Sequence, residues 1–276
     1  MIKAVGIIVP AHNEQDLLPA CLASLRRAAQ ELPGTPVHLV VVADACSDLT
    51  DTVARRGGAT VVAITARSAG VARAAGAREI LGRTQHLDPA DVWLATTDAD
   101  SVVPRGWVRE QVTQADQGWD AVAGTVQVAD WAGFRPQTRV QFLERYSAAA
   151  GTGQPSQPQR AGIPLVVGVP YPPGYSPAPG HPHVHGANLG FRASAYLLAG
   201  GFPSVPTAED HAIIDALTAQ GGRVLRTRAL PVVTSARREA RAPLGFGHYL
   251  AELDRATAMS ASGGDGRGRR LAQETR

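Results

Sequence analysis

The feature that most constrains this chain is the repetition of short apolar runs in its first hundred residues. Four such runs lie at 4–10, 37–43, 60–64 and 92–95, and the segments between them carry apolar residues at helical spacing. Short helical crossovers between apolar strands indicate parallel strands that are covered by helices on both faces. We therefore predict an α/β fold with a mainly parallel, doubly wound central sheet.

Polar residues follow the carboxyl ends of three of these predicted strands. They are Asn13, Glu14, Asp44, Asp98 and Asp100. In open α/β sheets, ligands bind in the crevice beyond the carboxyl ends of the strands. Two carboxylates one residue apart can hold Mg²⁺ or Mn²⁺ there and, through the cation, a diphosphate. Solvated turn aspartates are the alternative interpretation of Asp98 and Asp100.

Two common phosphate-binding loops do not occur in the sequence. No Gly-x-Gly-x-x-Gly follows the first strand, and Gly-x-x-x-x-Gly-Lys-Ser/Thr is absent, so a dinucleotide dehydrogenase and a P-loop kinase are disfavoured. Ligand phosphates must then be held by a metal or by arginines. Lys and Arg total 27 against 24 acids, without a basic run that carries interleaved aromatics, so no nucleic-acid partner is expected.

Cysteine content and apolar run length bear on the location of the chain. Two cysteines do not make a disulfide framework, which favours a reducing compartment. The first strand begins at once, without the pattern of a signal peptide, and no apolar run is long enough to predict a transmembrane segment. We therefore expect a cytoplasmic protein.

The middle and the end of the chain depart from the strand and helix pattern. Nine of the 20 prolines lie within 151–182, which excludes a helix or a central strand there. Ordered patterns resume afterwards, so we predict one domain over 1–258, with 151–183 as a loop or lid within it. A disordered insertion without function is the alternative for that segment. The basic, Gly-rich residues 259–276 are predicted to be a disordered tail.

Three histidines at alternate positions follow the Pro-rich segment. On a strand, His181, His183 and His185 would share one face and could bind a metal such as zinc. Pro182 between the first two, and the lack of a second ligand cluster, argue against a structural zinc site.

Acidic and basic residues also mark the later elements. Glu209 and Asp210 open a predicted helix behind Thr207, where capping and catalysis are both open interpretations. Arg237 follows the last predicted strand, in a loop that is suited to phosphate or simply solvated.

Together these segments resemble the family 2 glycosyltransferases of the GT-A fold, which transfer a sugar from a nucleotide-diphosphate donor. The resemblance covers residues 5–241 and implies a single GT-A (Rossmann-like) domain. Its motifs are Val9-Pro10-Ala11-His12-Asn13-Glu14, Asp44-Ala45-Cys46-Ser47-Asp48, the helix from Gly70 to Arg78, Asp98-Ala99-Asp100, His185-Gly186-Ala187-Asn188 and Glu209-Asp210.

The resemblance implies a nucleotide and donor pocket, in which Asp44 faces the base, Glu14 lies near the ribose, and Asp98 lies near the ribose and the donor sugar. Asp100 would bind the divalent metal, Mg²⁺ or Mn²⁺, and a later histidine would be an extra ligand, with His248, His185 and His211 as candidates. The implied pocket comprises Pro10, Ala11, Glu14, Asp44, Arg73, Arg78, Asp98, Ala99 and Asp100. Both arginines are expected outside the buried face of their helix.

The resemblance also implies the groups that act on the acceptor. Asp210 corresponds to the general base and Glu209 to its neighbour near the donor or acceptor. The segment that borders the donor sugar and acceptor would be Gly186, Ala187 and Asn188. In-line displacement with one base implies inversion at the anomeric carbon.

The implied reaction is a single, non-processive transfer from a UDP- or GDP-sugar to an unknown acceptor hydroxyl, because the Gln-x-x-Arg-Trp signature of processive synthases is absent. A sugar-1-phosphate nucleotidyltransferase is one alternative, which the sequence His12-Asn13-Glu14 disfavours because a Gly-rich basic loop would be needed there. A catalytically inactive sugar-nucleotide-binding protein is the other alternative, and the presence of Asp98, Asp100 and Asp210 together argues against it.

Overall fold

The computed structural model describes residues 1–148, 181–237 and 246–263. Its strands are β1 (Ala4–Ala11), β2 (Val37–Asp44), β3 (Thr60–Ile64), β4 (Val92–Thr96), β5 (Ala121–Val128), β6 (Leu189–Arg192) and β7 (Val224–Thr234). Its helices are α1 (Leu18–Ala29), α2 (Thr50–Arg56), α3 (Ala69–Arg83), α4 (Trp107–Asp116), α5 (Pro136–Ala148), α6 (Ala193–Leu198), α7 (Glu209–Ala219) and α8 (Phe246–Gly263). Short 3₁₀ turns lie at Pro89–Asp91 and Gly186–Asn188.

The seven strands form one sheet in the order β3-β2-β1-β4-β6-β5-β7. The pairs β1–β2, β1–β4, β2–β3 and β5–β7 are parallel, whereas β6 runs antiparallel between β4 and β5. The predicted α/β fold with a mainly parallel sheet is confirmed. The strand order reverses between β1 and β4, and this switch point is where open α/β sheets bind ligands.

Alternate residues of β1 pack on opposite faces of the sheet. Ile7 and Val9 belong to a cluster with Leu18 of α1, while Ile8 belongs to the other face with Ile80 of α3. This two-sided burial explains why β1 is apolar at almost every position.

Helix α3 lies unusually close to β1. A Cβ atom added at Gly76 would lie 2.5 Å from Cγ2 of Ile8, so only glycine permits this approach. The close packing brings the first turns of α3 to the carboxyl ends of β1 and β4.

A separate cluster joins α5 and α8 beside the sheet. It contains Phe134, Phe142, Ala236, Leu250 and Leu253. Asp254 of α8 is buried beneath it and accepts hydrogen bonds from the backbone N–H of Arg135 (3.0 Å) and the hydroxyl of Thr138 (2.6 Å). These bonds compensate the buried carboxylate and fix α8 against the start of α5.

The ends of the described segments differ from the predicted boundaries. Helix α8 continues to Gly263, five residues into the segment that was predicted to be a disordered tail. Residues 151–180 of the predicted Pro-rich loop, residues 264–276 and the basic residues Arg238 and Arg241 lie outside the described residues. None of the described helices is long and apolar enough to cross a membrane.

Candidate active site

A cavity of about 790 Å³ opens at the carboxyl ends of β1, β2 and β4 and reaches the start of α7. Most of the predicted site residues line it, although they come from separate parts of the chain. These are Pro10, Ala11, Glu14, Asp44, Arg73, Asp98, Ala99, Asp100, Gly186, Ala187, Glu209 and Asp210. The structure therefore brings the predicted donor and acceptor residues to one place.

Three predicted residues do not line the cavity. Arg78 is exposed on α3, because this position faces solvent rather than the sheet. His248 is partly exposed on α8, where its Nε2 lies 3.8 Å from a carboxylate oxygen of Glu252. The structure thus leaves Arg78 and His248 outside the residues that line the cavity, and their roles at a donor and at a metal stay predictions.

Asn188 is the third of these residues, and its side chain is buried behind the cavity wall. Its Oδ1 accepts a hydrogen bond from the indole N–H of Trp107 (2.8 Å), and its Nδ2 donates to the carbonyl of Thr125 (2.8 Å). Because both ends of the amide are engaged, Asn188 anchors the turn that carries Gly186. The role of Asn188 beside the donor sugar and acceptor stays a prediction.

At one end of the cavity, Asp44 organises the loop between β3 and α3. Its two carboxylate oxygens accept hydrogen bonds from the backbone N–H groups of Arg67 and Ser68, each at 2.8 Å. Arg67 has a positive φ of 50°, which these bonds help to hold. A carboxylate has about four acceptor sites, so two remain for a ligand.

Arg237 joins two of the predicted carboxylates across the cavity. It donates to both oxygens of Glu14, at 2.9 and 2.5 Å, and lies 3.0 Å from Oδ2 of Asp100. Burial and the neighbouring Asp98 raise the pKa of Asp100 to about 6, while Arg237 partly offsets both effects. In the sequence, Arg237 stood out only as one of several arginines in a loop. That pattern did not predict its contacts with Glu14 and Asp100.

Arg73 is buried, contrary to the prediction that it lies outside the buried face of its helix. Its Nη2 donates to Asp98 at 2.6 Å, and its Nη1 donates to Glu209. A buried guanidinium is tolerated because these two carboxylates compensate its charge. Arg73 thereby links α3, the end of β4 and the start of α7.

Gly186 is required beside this guanidinium. A Cβ atom added there would lie 2.3 Å from Nη2 of Arg73, which is closer than real Cβ contacts allow. The glycine that the sequence pattern singled out therefore accommodates a buried arginine.

Asp210 is held by three hydrogen bonds at the start of α7. Its Oδ2 accepts from the backbone N–H of Gly186 (2.9 Å), and its Oδ1 accepts from the backbone N–H of His211 (2.9 Å) and lies 3.0 Å from Nδ1 of the same residue. Burial opposes ionisation, but the bond from His211 and the charge of Arg73 lower the pKa of Asp210 below its ordinary value.

The N-terminus of α7 differs from the predicted one. Ala208, with φ 61°, occupies the N-cap position and makes no side-chain cap, so Thr207 is not the cap that the sequence indicated. Glu209 and Asp210 instead engage Arg73 and Gly186, which fixes them at the cavity.

Aromatic rings also line the cavity. The rings of Tyr146 and His183 stack with centroids 3.9 Å apart, and the hydroxyl of Tyr146 lies 3.0 Å from Nε2 of His185. His181 and His183 donate their Nε2–H groups to the carbonyls of Thr227 and Tyr146, both at 2.9 Å. These bonds leave only Nδ1 of each ring to bind a metal, and the described residues contain no group of three His, Cys, Asp or Glu side chains that could hold one.

The chemistry of the donors fits a divalent cation at Asp100. Burial raises the pKa of Asp100, and the negative charges of Asp98 and Glu14 raise it further. Within the described residues no three His, Cys, Asp or Glu side chains are grouped as metal ligands. A magnesium-like ion would therefore use one or two of these carboxylates and complete its shell with phosphate and water, as Mg²⁺ commonly does.

Comparison with known sequences identifies a family and curated relatives that match part of the chain. The model of the family described as Glycosyl transferase family 2 matches residues 6–164. Two curated relatives are undecaprenyl-phosphate 4-deoxy-4-formamido-L-arabinose transferases: one from Serratia proteamaculans, 30% identical over 132 residues, and one from Klebsiella pneumoniae, 31% identical over 130 residues. Each match covers 45% of this chain and 37% of the relative, so the chain spans little more than a third of these proteins.

Comparison with solved structures identifies the fold. The mannosyltransferase PcManGT from Pyrobaculum calidifontis, in complex with GDP-Man and Mn²⁺, superposes with a TM-score of 0.56 at 20% identity, over 86% of this chain and 58% of that protein. TarS 1-349 from S. aureus, in complex with UDP-GlcNAc, has a TM-score of 0.56 at 16% identity, over 89% of this chain and 62% of that protein. Since the family model covers more than half of the sequence, the chain belongs to glycosyl transferase family 2.

Proposed function

We propose that this chain transfers a sugar from a UDP- or GDP-sugar to an acceptor hydroxyl, one sugar at a time and with inversion at the anomeric carbon. The observation that carries the proposal is the convergence of three groups on one cavity. These groups are the carboxylates that follow β4, the Arg237 guanidinium that spans Glu14 and Asp100, and the acidic pair that opens α7. Each group matches one requirement of the reaction.

The carboxylates match the requirement for a cation. Asp100, with Asp98 beside it, would hold Mg²⁺ or Mn²⁺ at the diphosphate. The bound cation would supply Lewis-acid stabilisation of the leaving nucleoside diphosphate. The presence of Mn²⁺ and GDP-Man in the related fold of PcManGT supports this assignment.

Arg237 matches the requirement for a second positive charge. It lies against Asp100, and binding of a diphosphate would let it exchange that contact for phosphate oxygens. Guanidinium–phosphate bonds are charge-assisted and about twice as strong as neutral hydrogen bonds. Glu14 would keep the guanidinium aimed at the cavity during this exchange.

The acidic pair at the start of α7 matches the requirement for a base. The acceptor hydroxyl loses its proton as it attacks, and a positioned base contributes roughly 10²–10⁴-fold to such a step. Asp210 lies at the cavity for this purpose, while Glu209 is engaged by Arg73. A single base with direct displacement gives inversion.

Release of nucleoside diphosphate tests the proposal. Purified protein with Mn²⁺ would be given UDP- and GDP-sugars and an acceptor panel that includes sugar alcohols and, because of the names of the relatives, undecaprenyl phosphate. We expect diphosphate release that Asp100→Asn abolishes and that the surface variant Asp51→Asn retains. Pyrophosphate exchange with a nucleoside triphosphate would instead indicate a nucleotidyltransferase, and nucleotide-sugar binding without turnover would contradict catalysis.

A further inference from the structure

Aromatic rings from two helices and one connecting segment form a surface on the cavity. Phe142 and Tyr146 come from α5, Phe246 and Tyr249 from α8, and His183 from the segment before β6, and all five line the cavity. We propose that these five residues, the aromatic wall, bind the acceptor, and that the acceptor is a saccharide whose pyranose ring stacks on them. The inference rests on the proposed function and names the class of acceptor that this function leaves open.

The five rings contact one another in an unbroken series. The ring of Tyr146 lies against that of His183 with centroids 3.9 Å apart, and against that of Phe142 at 5.2 Å. Phe142 in turn contacts Phe246 edge to face at 5.8 Å and Tyr249 at 6.5 Å. Stacked and edge-to-face aromatic pairs stabilise one another. The wall is therefore held in place by its own contacts, and a ligand that binds to it does not have to order it first.

Hydrogen bonds connect the aromatic wall to the proposed base. The backbone N–H of Val126 donates to the hydroxyl of Tyr146 (3.1 Å), so that hydroxyl donates its own hydrogen to Nε2 of His185 (3.0 Å). The residue after His185 donates its backbone N–H to Asp210 (2.9 Å). The aromatic wall thus begins beside Asp210.

This position suits the acceptor rather than the diphosphate of the donor. The attacking hydroxyl must lie within hydrogen-bonding reach of Asp210, so the rest of the acceptor extends over the surface next to it. The diphosphate requires a cation and a guanidinium, which Asp100 and Arg237 supply after β4 and β7. The five side chains of the aromatic wall include no carboxylate and no guanidinium, so they do not match that requirement.

The exposed rings match the two kinds of surface that a sugar ring presents. Tyr249 is 41% exposed and Phe246 is partly exposed, so a ligand can contact both. A pyranose carries C–H groups on its faces, which pack on aromatic rings, and hydroxyls around its rim, which need polar partners. The hydroxyl of Tyr249 can donate and accept a hydrogen bond, and His183, which donates from Nε2, keeps Nδ1 as an acceptor. An aliphatic chain would bury such groups without partners, which costs free energy.

Binding of simple glycosides, measured without turnover, tests the inference. With UDP or GDP and Mg²⁺ present to fill the donor end, saturation-transfer NMR would screen the methyl glycosides of glucose, galactose, mannose and N-acetylglucosamine. The methyl group excludes stacking through an aromatic aglycone. Sorbitol, which has hydroxyls but no ring, and geraniol, an apolar alcohol, are the comparison ligands. We expect at least one pyranoside to bind with its ring C–H protons closest to the protein, and neither comparison ligand to bind at the same concentration.

Substitutions at the exposed rings show where the pyranoside binds. Tyr249→Leu keeps an apolar side chain but removes the ring, so we expect the Kd of the pyranoside to rise about three- to tenfold. Tyr249→Phe keeps the stacking face and should raise the Kd less than Tyr249→Leu does. Phe246→Leu repeats the test at the second exposed ring. The matched control is Leu198→Ala, at an exposed leucine of α6 outside the cavity, and it should leave the Kd unchanged. Circular dichroism checks that each variant is folded.

Two results would overturn the inference. One is an unchanged Kd in both Tyr249→Leu and Phe246→Leu, and the other is binding of sorbitol or geraniol but of no pyranoside. In either case, release of nucleoside diphosphate with another acceptor would leave the proposed function standing. If pyranosides bind as expected but no nucleotide sugar releases its diphosphate with any of them, the proposed function fails, and the acceptor role of the aromatic wall fails with it.

Discussion

At the scale of single residues, Arg73 joins the segment after β4 to the start of α7 across the cavity. Arg73 is 4% exposed. Its guanidinium contacts Asp98 and Glu209, which lie more than a hundred positions apart in the sequence. The free energy of such a group depends on compensation, since a buried charge without its partner costs several kcal/mol. Arg73 therefore holds both Asp98, after β4, and Glu209, at the start of α7, in place at the cavity.

Loss of this guanidinium should destabilise the protein. We expect Arg73→Ala to lower the free energy of unfolding by about 3–5 kcal/mol, because it leaves two partly buried carboxylates close together without their cation. Urea denaturation followed by circular dichroism measures this change. The matched control is Arg83→Ala, which removes an exposed i,i+4 pair with Glu79 and should cost less than about 0.5 kcal/mol. Equal losses in the two variants would show that the buried ion pairs do not stabilise the fold.

Replacement of Asp100, unlike that of Arg73, should stabilise the fold, although Asp100 is the proposed metal ligand. Burial and Asp98 raise the pKa of Asp100 to about 6, above the ordinary value of 3.8. A carboxyl group whose pKa is higher in the folded state favours folding while it is protonated, and this advantage is lost as the pH rises from about 4 to 6.

We therefore expect Asp100→Asn to raise the free energy of unfolding of the ligand-free protein by about 1–3 kcal/mol at pH 7.5 and by much less at pH 4.5. Urea titrations at the two pH values measure the difference. Destabilisation at pH 7.5 would show that the ion pair with Arg237 outweighs the repulsion from Asp98.

At the scale of elements, the loops that end at the cavity hold non-glycine residues in the left-handed region. They are Asn13 (φ 54°), Ala45 (φ 49°), Arg67 (φ 50°) and Ala208 (φ 61°). Strained backbone of this kind persists only where the surrounding structure fixes it, and it concentrates at functional sites. The strain at Ala208 directly precedes the acidic pair of α7.

Ala208→Gly should relieve that strain. The left-handed conformation costs an L-residue roughly 1 kcal/mol relative to glycine, so we expect the free energy of unfolding to rise by about 0.5–1 kcal/mol. Ala216→Gly, within the same helix, should instead lower it by about 1 kcal/mol. Thermal unfolding of both variants tests the contrast, and a loss of stability in Ala208→Gly would contradict it.

The elements themselves were largely predictable because their signals are local. Strands β1, β2 and β4 are buried on both faces, so the sequence marks them as apolar runs, and the polar residues at their ends follow directly. The insertion of β6 between β4 and β5 was not predictable, because a four-residue strand carries little periodicity and its partners are distant in sequence. The burial of Arg73 was missed for the same reason, since arginine is ordinarily exposed and its two partners lie on other elements.

At the scale of the whole molecule, the strand order places the cavity. The chain turns from β1 to β2 on one side and to β4 on the other, so the carboxyl ends of β1 and β4 leave a crevice between them. Helix α3 closes one side of this crevice, and α7 supplies the acidic pair opposite Asp98. The fold thereby brings residues as distant in sequence as Pro10 and Arg237 to the lining of one cavity.

The most direct test of this account is the affinity for a nucleoside diphosphate with and without Mn²⁺, measured by isothermal titration calorimetry with UDP and with GDP. We predict that Mn²⁺ tightens binding of one of them to wild-type protein at least tenfold, which corresponds to about 1.4 kcal/mol. The same comparison in Asp100→Asn should show no effect of Mn²⁺. An unchanged Mn²⁺ effect in Asp100→Asn, or no binding of either nucleotide to wild-type protein, would contradict the assignment of this cavity.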